Sequence, residues 1–181
     1  MNRKMLITAL ALIALPSSLA QTATPTPALP TQQNAPLKQR TRAEIVQGLI
    51  RIGEQAIVRQ DDAALDAYFS KDFVFHGPLG DLNLPALKKF WAASRAAFSE
   101  YTITRGRIVV EGDFVASQTT FSGVFEREFT QSPVGALPPT GKRFTQNIIN
   151  IFRYDKDGRL AEEWVQYDVR DYLRQLGAEG K

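Results

Sequence analysis

Apolar residues recur three or four apart from Ile45 through Leu49, Ile52, Ala56 and Ile57, one stripe that predicts an amphipathic helix running to about Gln60. Its start is marked by Thr41-Arg42-Ala43-Glu44, a capping box in which hydroxyl and carboxylate satisfy amides that the first turn leaves free. A second short helix follows a cap at Asp61, with Leu65, Tyr68 and Phe69 inward and Ser70-Lys71-Asp72 as its exit. Phe73 to His76 is short and β-prone, and it stops at Gly77-Pro78-Leu79-Gly80-Asp81. Asn83 caps a third helix with Pro85 in its first turn, where a missing amide costs nothing, and with Leu84, Leu87, Phe90, Trp91, Ser94 and Phe98 as its stripe. Beyond it the pattern is strand-like, over roughly 101–111, 113–127, 142–154 and 159–168, with turns at Glu111-Gly112-Asp113 and Asp155-Lys156-Asp157-Gly158. Helices followed by hairpin-linked strands predict an α+β fold, the N-terminal helices packed on one face of a strongly curved antiparallel sheet.

The first 40 residues read differently. Met1-Asn2-Arg3-Lys4 is a basic start, Met5 to Leu15 an apolar run too short to span a bilayer, and Ser18-Leu19-Ala20 a small-residue cleavage site. Residues 1–20 are therefore expected to be a signal peptide, with an uncleaved anchor helix as the alternative. Residues 21–40, rich in Thr, Pro, Ala and Gln, cannot bury enough apolar surface to offset their ordering entropy and read as a disordered linker. The folded domain is expected over 41–177, with 178–181 as a tail. Export implies a secreted or periplasmic protein, without membrane attachment once the signal is removed.

Charge and composition narrow the chemistry. The chain has 22 Lys and Arg against 19 Asp and Glu, and losing Arg3 and Lys4 leaves 20 against 19, with no basic stripe for nucleic acid. There is no cysteine, which removes disulfides and thiolate metal sites, and one histidine leaves little to build a metal centre. No P-loop or dinucleotide fingerprint is present.

The candidate site residues lie mostly toward the C-terminus. Trp164 and Asp168 are four apart in a strand-like segment, a spacing that puts indole and carboxylate on one face. Glu162 shares their parity but lies nearer the hairpin rim. Asp168 also stands just before a predicted helix, Val169 to Gln175, so a helix cap is its other reading. The strand before it carries the amides Gln146, Asn147 and Asn150 among Ile148, Ile149, Ile151 and Phe152, and amides in an apolar strand are costly unless paired. A three-residue hairpin loop ending at Gly158 pairs 150 with 164 and brings Gln146 and Asn150 to the Trp164 face, whereas a four-residue loop pairs 149 with 164. His76, ending the first strand, is either a hydrogen-bond donor to a ligand or a histidine bonded to its own turn.

Phe75-His76-Gly77-Pro78, Pro138-Pro139-Thr140-Gly141-Lys142, Asp157-Gly158-Arg159-Leu160, Glu162-x-Trp164-x-x-x-Asp168 and Gln175-Leu176-Gly177 occur in an order that resembles the SnoaL-like polyketide cyclase family, within the nuclear transport factor 2-like superfamily. The resemblance covers residues 41–177. It implies a cone-shaped α+β fold enclosing one deep apolar pocket, commonly a homodimer packed through the sheet, and an intramolecular aldol closure without metal or cofactor. The family's acid/base aspartate matches Asp168 and its central-strand histidine falls at Phe125, a departure from the pattern. With Trp164, Gln146, Asn150 and Trp91, Phe125 makes up the expected ligand-contact set, and His76 is the remaining partner for Asp168.

Two functions fit these residues. One is an exported protein that binds a small apolar or carbonyl-containing molecule in the pocket. The other is a cofactor-independent cyclase or isomerase with Asp168 as general acid/base and His76 or a strand amide polarising the carbonyl. Export and the absent histidine favour the first.

Overall fold

The computed structural model describes residues 40–178. The expectations placed on residues 1–39 and 179–181, signal peptide and most of the linker included, lie outside them. Four helices and a six-stranded sheet follow in the order α1 (Arg42–Arg51), a π-helical segment (Ile52–Ile57), α2 (Asp62–Tyr68), β1 (Phe69–Gly77), β2 (Gly80–Asn83), α3 (Leu84–Ala97), β3 (Phe98–Glu111), β4 (Phe114–Phe125), β5 (Arg143–Tyr154), β6 (Leu160–Gln166) and α4 (Val169–Gln175). Helix starts carry the caps their sequences suggest. Thr41 and Glu44 form the capping box, and Asp61 and Asn83 accept from the amides of Ala64 and Ala86, at 3.0 Å each.

The sheet order is β2-β1-β6-β5-β4-β3. Strands β3 to β6 form an antiparallel meander, but β1 runs parallel to β6, so the sheet is mixed and the expectation of a purely antiparallel one is corrected. The parallel pair arises because β1 precedes α3, which returns the chain to the far edge of the sheet before the meander begins. Strand β1 starts at Phe69, earlier than the pattern suggests. Ser70, Lys71 and Asp72 are extended rather than a helix exit, and β2 forms where a loop was expected.

Curvature comes from irregular pairing. Register shifts between Ser99 and Thr102 and between Arg105 and Ile108 interrupt the β3–β4 ladder, and Glu100 takes a left-handed φ of 50° at the first of them. Extra residues of this kind bend a strand and increase its twist. At the bend β3 presses against β4 so closely that a Cβ on Gly123 would lie 2.9 Å from Phe98 Cβ. The concave face receives α1, the π-helical segment and α3. A first core cluster centres on Leu49, Leu65, Phe73, Leu87, Phe152 and Leu160, and a second, toward α4, gathers Phe98, Phe125, Phe129, Leu137, Phe144 and Leu176. Ala178, placed in the tail by its position, is 2% exposed within the second cluster.

The convex face is different. Phe114, Ile149 and Ile151 stand exposed on it, and Val109 on edge strand β3 is also open to solvent. Trp164 lies on the same face, opposite Ile151.

Candidate functional site

Between the helices and the concave face lies a cavity of about 460 Å³. On the helical side its wall is Leu49, Ile52, Leu87, Phe90, Trp91 and Ser94, and on the sheet side Phe121, Gln146, Ile148, Asn150, Phe152, Glu163 and Val165. Exposed Leu79, Gly80, Lys89 and Gln131 mark where it opens to solvent. A concave, mostly apolar space of this size with a few converging polar groups is what small-molecule sites look like.

Those polar groups come from four successive strands. Arg105 of β3 donates from Nη1 to Thr119 Oγ1 on β4 at 2.6 Å and approaches Asn150 Oδ1 on β5 at 3.5 Å. Thr119 Oγ1 in turn donates to Asn150 Oδ1 at 2.5 Å, and Asn150 Nδ2 donates to Glu163 Oε1 on β6 at 2.7 Å. Glu163 Oε2 makes no hydrogen bond among the described residues. The guanidinium lies 5.2 Å from the centre of the Phe152 ring and is backed by Gly53 in the π-helical segment, where a Cβ would stand 2.8 Å from Nε. A side chain there would push the guanidinium from this position. A π-turn inside a helix often accompanies a functional site, and this one sets a Cβ-free position against the buried cation. Its carbonyls are not left bare, since Asp61 N donates to Ala56 at 2.9 Å and Arg95 Nη1 to Ile57 at 2.7 Å.

Burial sets the electrostatics. Glu163 is 7% exposed, and desolvation pushes its carboxyl up from 4.5 to about 7, against the opposing pull of Arg105 and the Asn150 hydrogen bond. Arg105 shows some open surface yet is remote from bulk water because that side chain lines the cavity. Desolvation lowers its pKa, and Glu163 is the largest influence in the other direction. Nearby, the hydroxyls of Tyr68 and Tyr154 hydrogen-bond to each other, and burial raises both phenols. A carboxyl near neutrality can give or take a proton at physiological pH, and the adjacent guanidinium can hold an oxygen that gains negative charge.

Strand parity corrects part of the expected site. Glu163, Val165 and Tyr167 line the cavity, so Trp164 faces the convex side, where it stacks on His76 with ring centres 5.2 Å apart. Asp168 is exposed and caps α4, accepting from Asp171 N at 2.9 Å, the other reading that its position allowed. The strand has ended by then, so the even spacing from Trp164 no longer carries a side chain to a shared face. His76 is also outside the cavity. Its Nδ1 pairs with Asp81 at 3.0 Å and its Nε2 lies 3.6 Å from Glu162, while Phe75 and Gly77 on either side are lining residues. Phe125 is fully buried in the second core cluster, stacked on Phe98 at 5.0 Å, and does not reach the cavity.

Trp91, Gln146 and Asn150 do line it. The two amides arrive through a register that neither hairpin loop foresaw, with Ile151 opposite Trp164 and Asn150 opposite Val165 after an irregularity between Arg153 and Tyr154. Glu163 and Arg105 were missed. A signal exists for Glu163, the lone charge among Ala161, Val165 and Tyr167 on one strand face, whereas Arg105 shares its parity with Arg107 and has no such mark beyond following Tyr101 and Ile103. A single charge on an otherwise apolar strand face marks a buried, partnered group.

A cone of helices on a curved mixed sheet around one internal cavity defines the nuclear transport factor 2-like class. Within it, the model of the SnoaL-like polyketide cyclase family matches residues 48–176, and the chain belongs to that family. Solved structures agree in fold. AclR of Streptomyces galilaeus, a candidate hydroxylase, is 24% identical over 76% of this chain and 98% of its own, with a TM-score of 0.62. IdmH of Streptomyces antibioticus, a candidate polyketide cyclase, is 28% identical over 76% and 99%, with a TM-score of 0.60. A candidate SnoaL-like polyketide cyclase from Jannaschia sp. CCS1 is 17% identical over 80% and 99%, with a TM-score of 0.64. No curated protein matches the chain.

The raised carboxyl has a measurable consequence. Because its folded-state value lies above the ordinary one, the stability Glu163 contributes is fully present below about pH 4.5 and is lost as the pH rises to about 7. A shift of that size corresponds to up to about 3 kcal/mol. Urea unfolding of Glu163→Gln is therefore expected to show a flatter pH profile than wild type between those values and a relative gain in stability at pH 8. Parallel profiles for the two proteins would mean that Glu163 titrates normally.

Proposed function

We propose that this protein is exported and binds a small apolar or carbonyl-containing molecule in the cavity. The observation that carries the reading is the largely apolar space of about 460 Å³ with Glu163 and Arg105 in its wall. Such a wall supplies hydrophobic binding energy over most of a ligand's surface and a polar anchor at one place. The leader-like residues 1–20 support a secreted or periplasmic location.

A second reading, a cofactor-independent cyclase or isomerase, is favoured by the near-neutral carboxyl of Glu163. Glu163 takes the acid/base role first given to Asp168, which lies outside the cavity. With a ketone bound, the Glu163 carboxylate removes a proton next to the carbonyl and Arg105 holds the resulting enolate oxygen. Return of that proton to another carbon, or attack of the enolate carbon on a second carbonyl, completes an isomerisation or an aldol closure.

We also propose that a second copy of the chain covers the convex face. Exposed Phe114, Ile149 and Ile151, beside Trp164, form a row that is apolar enough to pack on its own two-fold mate.

Three measurements test these readings. Calorimetry of the full chain with 4-acetylbiphenyl is expected to give one site with a Kd on the order of tens of micromolar. The substitution Ile148→Trp, which fills the cavity from the sheet side, is expected to weaken it at least tenfold while the circular dichroism spectrum is kept. A folded protein that does not take up the probe would sink the binding reading. For the enzymatic reading, proton NMR in deuterated buffer follows exchange of the probe's acetyl protons. Acceleration by wild type and by Asp168→Ala, but about a hundredfold less by Glu163→Gln, is the expected pattern, and a rate unaffected by Glu163→Gln counts against it. Sedimentation is expected to show a dimer that Ile151→Lys converts to monomer, and a monomeric wild type would refute the pairing.

A further inference from the structure

Arg105 stands in the cavity wall with only part of its donor set in use. Nη1 serves Thr119 and Asn150, Nε is buried without an acceptor, and Nη2 makes no hydrogen bond among the described residues. Its buried counter-charge is Glu163, which has Oε1 engaged by Asn150 and no hydrogen bond to Oε2 among the described residues. Few other ionisable groups face this pair. Glu54 of the π-helical segment accepts from the Arg105 backbone N–H at 3.1 Å but is exposed, and the hydroxyls of Tyr68 on α2 and Tyr154 on β5 are bonded to one another and kept protonated by burial. From β1 the residue opposite Glu163 is Phe75, and β4 offers Thr119. Among the described residues, the inner wall of the cavity thus holds one fixed positive charge, Arg105, and one negative charge that a proton can remove, with Lys89 at the exposed mouth.

We propose that the ligand is an apolar carboxylic acid, bound as its anion against the Arg105 guanidinium with Glu163 protonated beside it. This rests on the cavity being a ligand site and names the chemical class of what enters it. Two anions beside one cation in a water-poor space leave a net charge that is costly to bury, whereas one anion leaves none. The ligand carboxylate therefore takes over the counter-ion place of Glu163, and a proton from solvent neutralises the displaced charge. Protonated Glu163 gains an O–H to donate, and the incoming carboxylate supplies the acceptors that the unused Arg105 donors lack. Burial already holds Glu163 near the point where that proton is available at physiological pH. A neutral ketone of the same shape disturbs no charge and takes up no proton.

The test compares biphenyl-4-carboxylate with its ketone counterpart 4-acetylbiphenyl, binding the full chain in calorimetry from pH 6 to 8.5 in two buffers of different ionisation enthalpy. The carboxylate is expected to bind at pH 6 at least as tightly as the ketone. Its Kd is expected to rise roughly thirtyfold by pH 8.5, with about one proton taken up per ligand above pH 8. The ketone is expected to show a flat profile. In Glu163→Gln, carboxylate affinity is expected to become independent of pH and to stay within about twofold of the wild-type value at pH 6. A pH-independent carboxylate Kd in wild type, or carboxylate binding tenfold weaker than ketone at pH 6, overturns the proposal and leaves the cavity reading standing. Failure of both probes to bind overturns both.

Discussion

The structure turns on one row of polar contacts laid across four adjacent strands, from Arg105 through Thr119 and Asn150 to Glu163. Each strand contributes one member; Thr119, Asn150 and Glu163 are buried, and Arg105 shows surface only where it lines the cavity. Truncating a member would leave the buried donors and acceptors of its neighbours without partners, a loss of about 1–3 kcal/mol for each group, so the row has to be assembled as a unit. It also fixes register. A slip of one residue in β3 or β6 would send Arg105 or Glu163 to the convex face and break the row, so the alignment that completes the hydrogen bonds also builds the cavity wall.

The cavity needs backbone geometry that keeps it from closing. The interrupted β3–β4 ladder curves the sheet around the helices, and Gly123 lets the two strands approach at that bend. On the other side, the π-turn and Gly53 give the guanidinium a seat that a side chain would occupy. Aromatic packing of Phe98, Phe125 and Phe144 fills the end near α4 and closes the space there. Phe125 is committed to that packing. A polar group at its position would be shut off from any ligand, which explains why the polar chemistry of this chain lies two strands away at Glu163.

Local signals carried the helices, their caps, the four-strand meander and the family likeness, because caps, stripes and turns are written in neighbouring residues. Thr41, Asp61 and Asn83 act as their positions suggest. Long-range pairing was not legible in the same way. The parallel β1–β6 contact depends on where α3 delivers the chain, and the β5–β6 register depends on an irregularity at Arg153 and Tyr154 that no residue pattern announces. In the site, Gln146 and Asn150 were recognisable as amides in an apolar strand. Trp164 and Asp168 fall elsewhere because parity alone does not say which face of β6 meets the cavity, and the strand ends before Asp168. The informative face was the duller one, where a single glutamate interrupts alanine, valine and tyrosine.

Strand parity also separates two kinds of work on one sheet. On β6, the odd positions Glu163 and Val165 face the cavity, while Glu162 and Trp164 join His76 and Arg153 in a polar and aromatic cluster on the convex side. The two carboxylates are chain neighbours with opposite environments. Glu162 sits between a guanidinium and an imidazole, with part of its surface in water, whereas Glu163 is enclosed and held near neutrality by burial. Its proton is set by burial, with Arg105 and the Asn150 hydrogen bond pulling the other way. The fold encloses the cavity, but the charge balance inside it is carried by two residues of this chain, Arg105 and Glu163, on opposite sides of the meander.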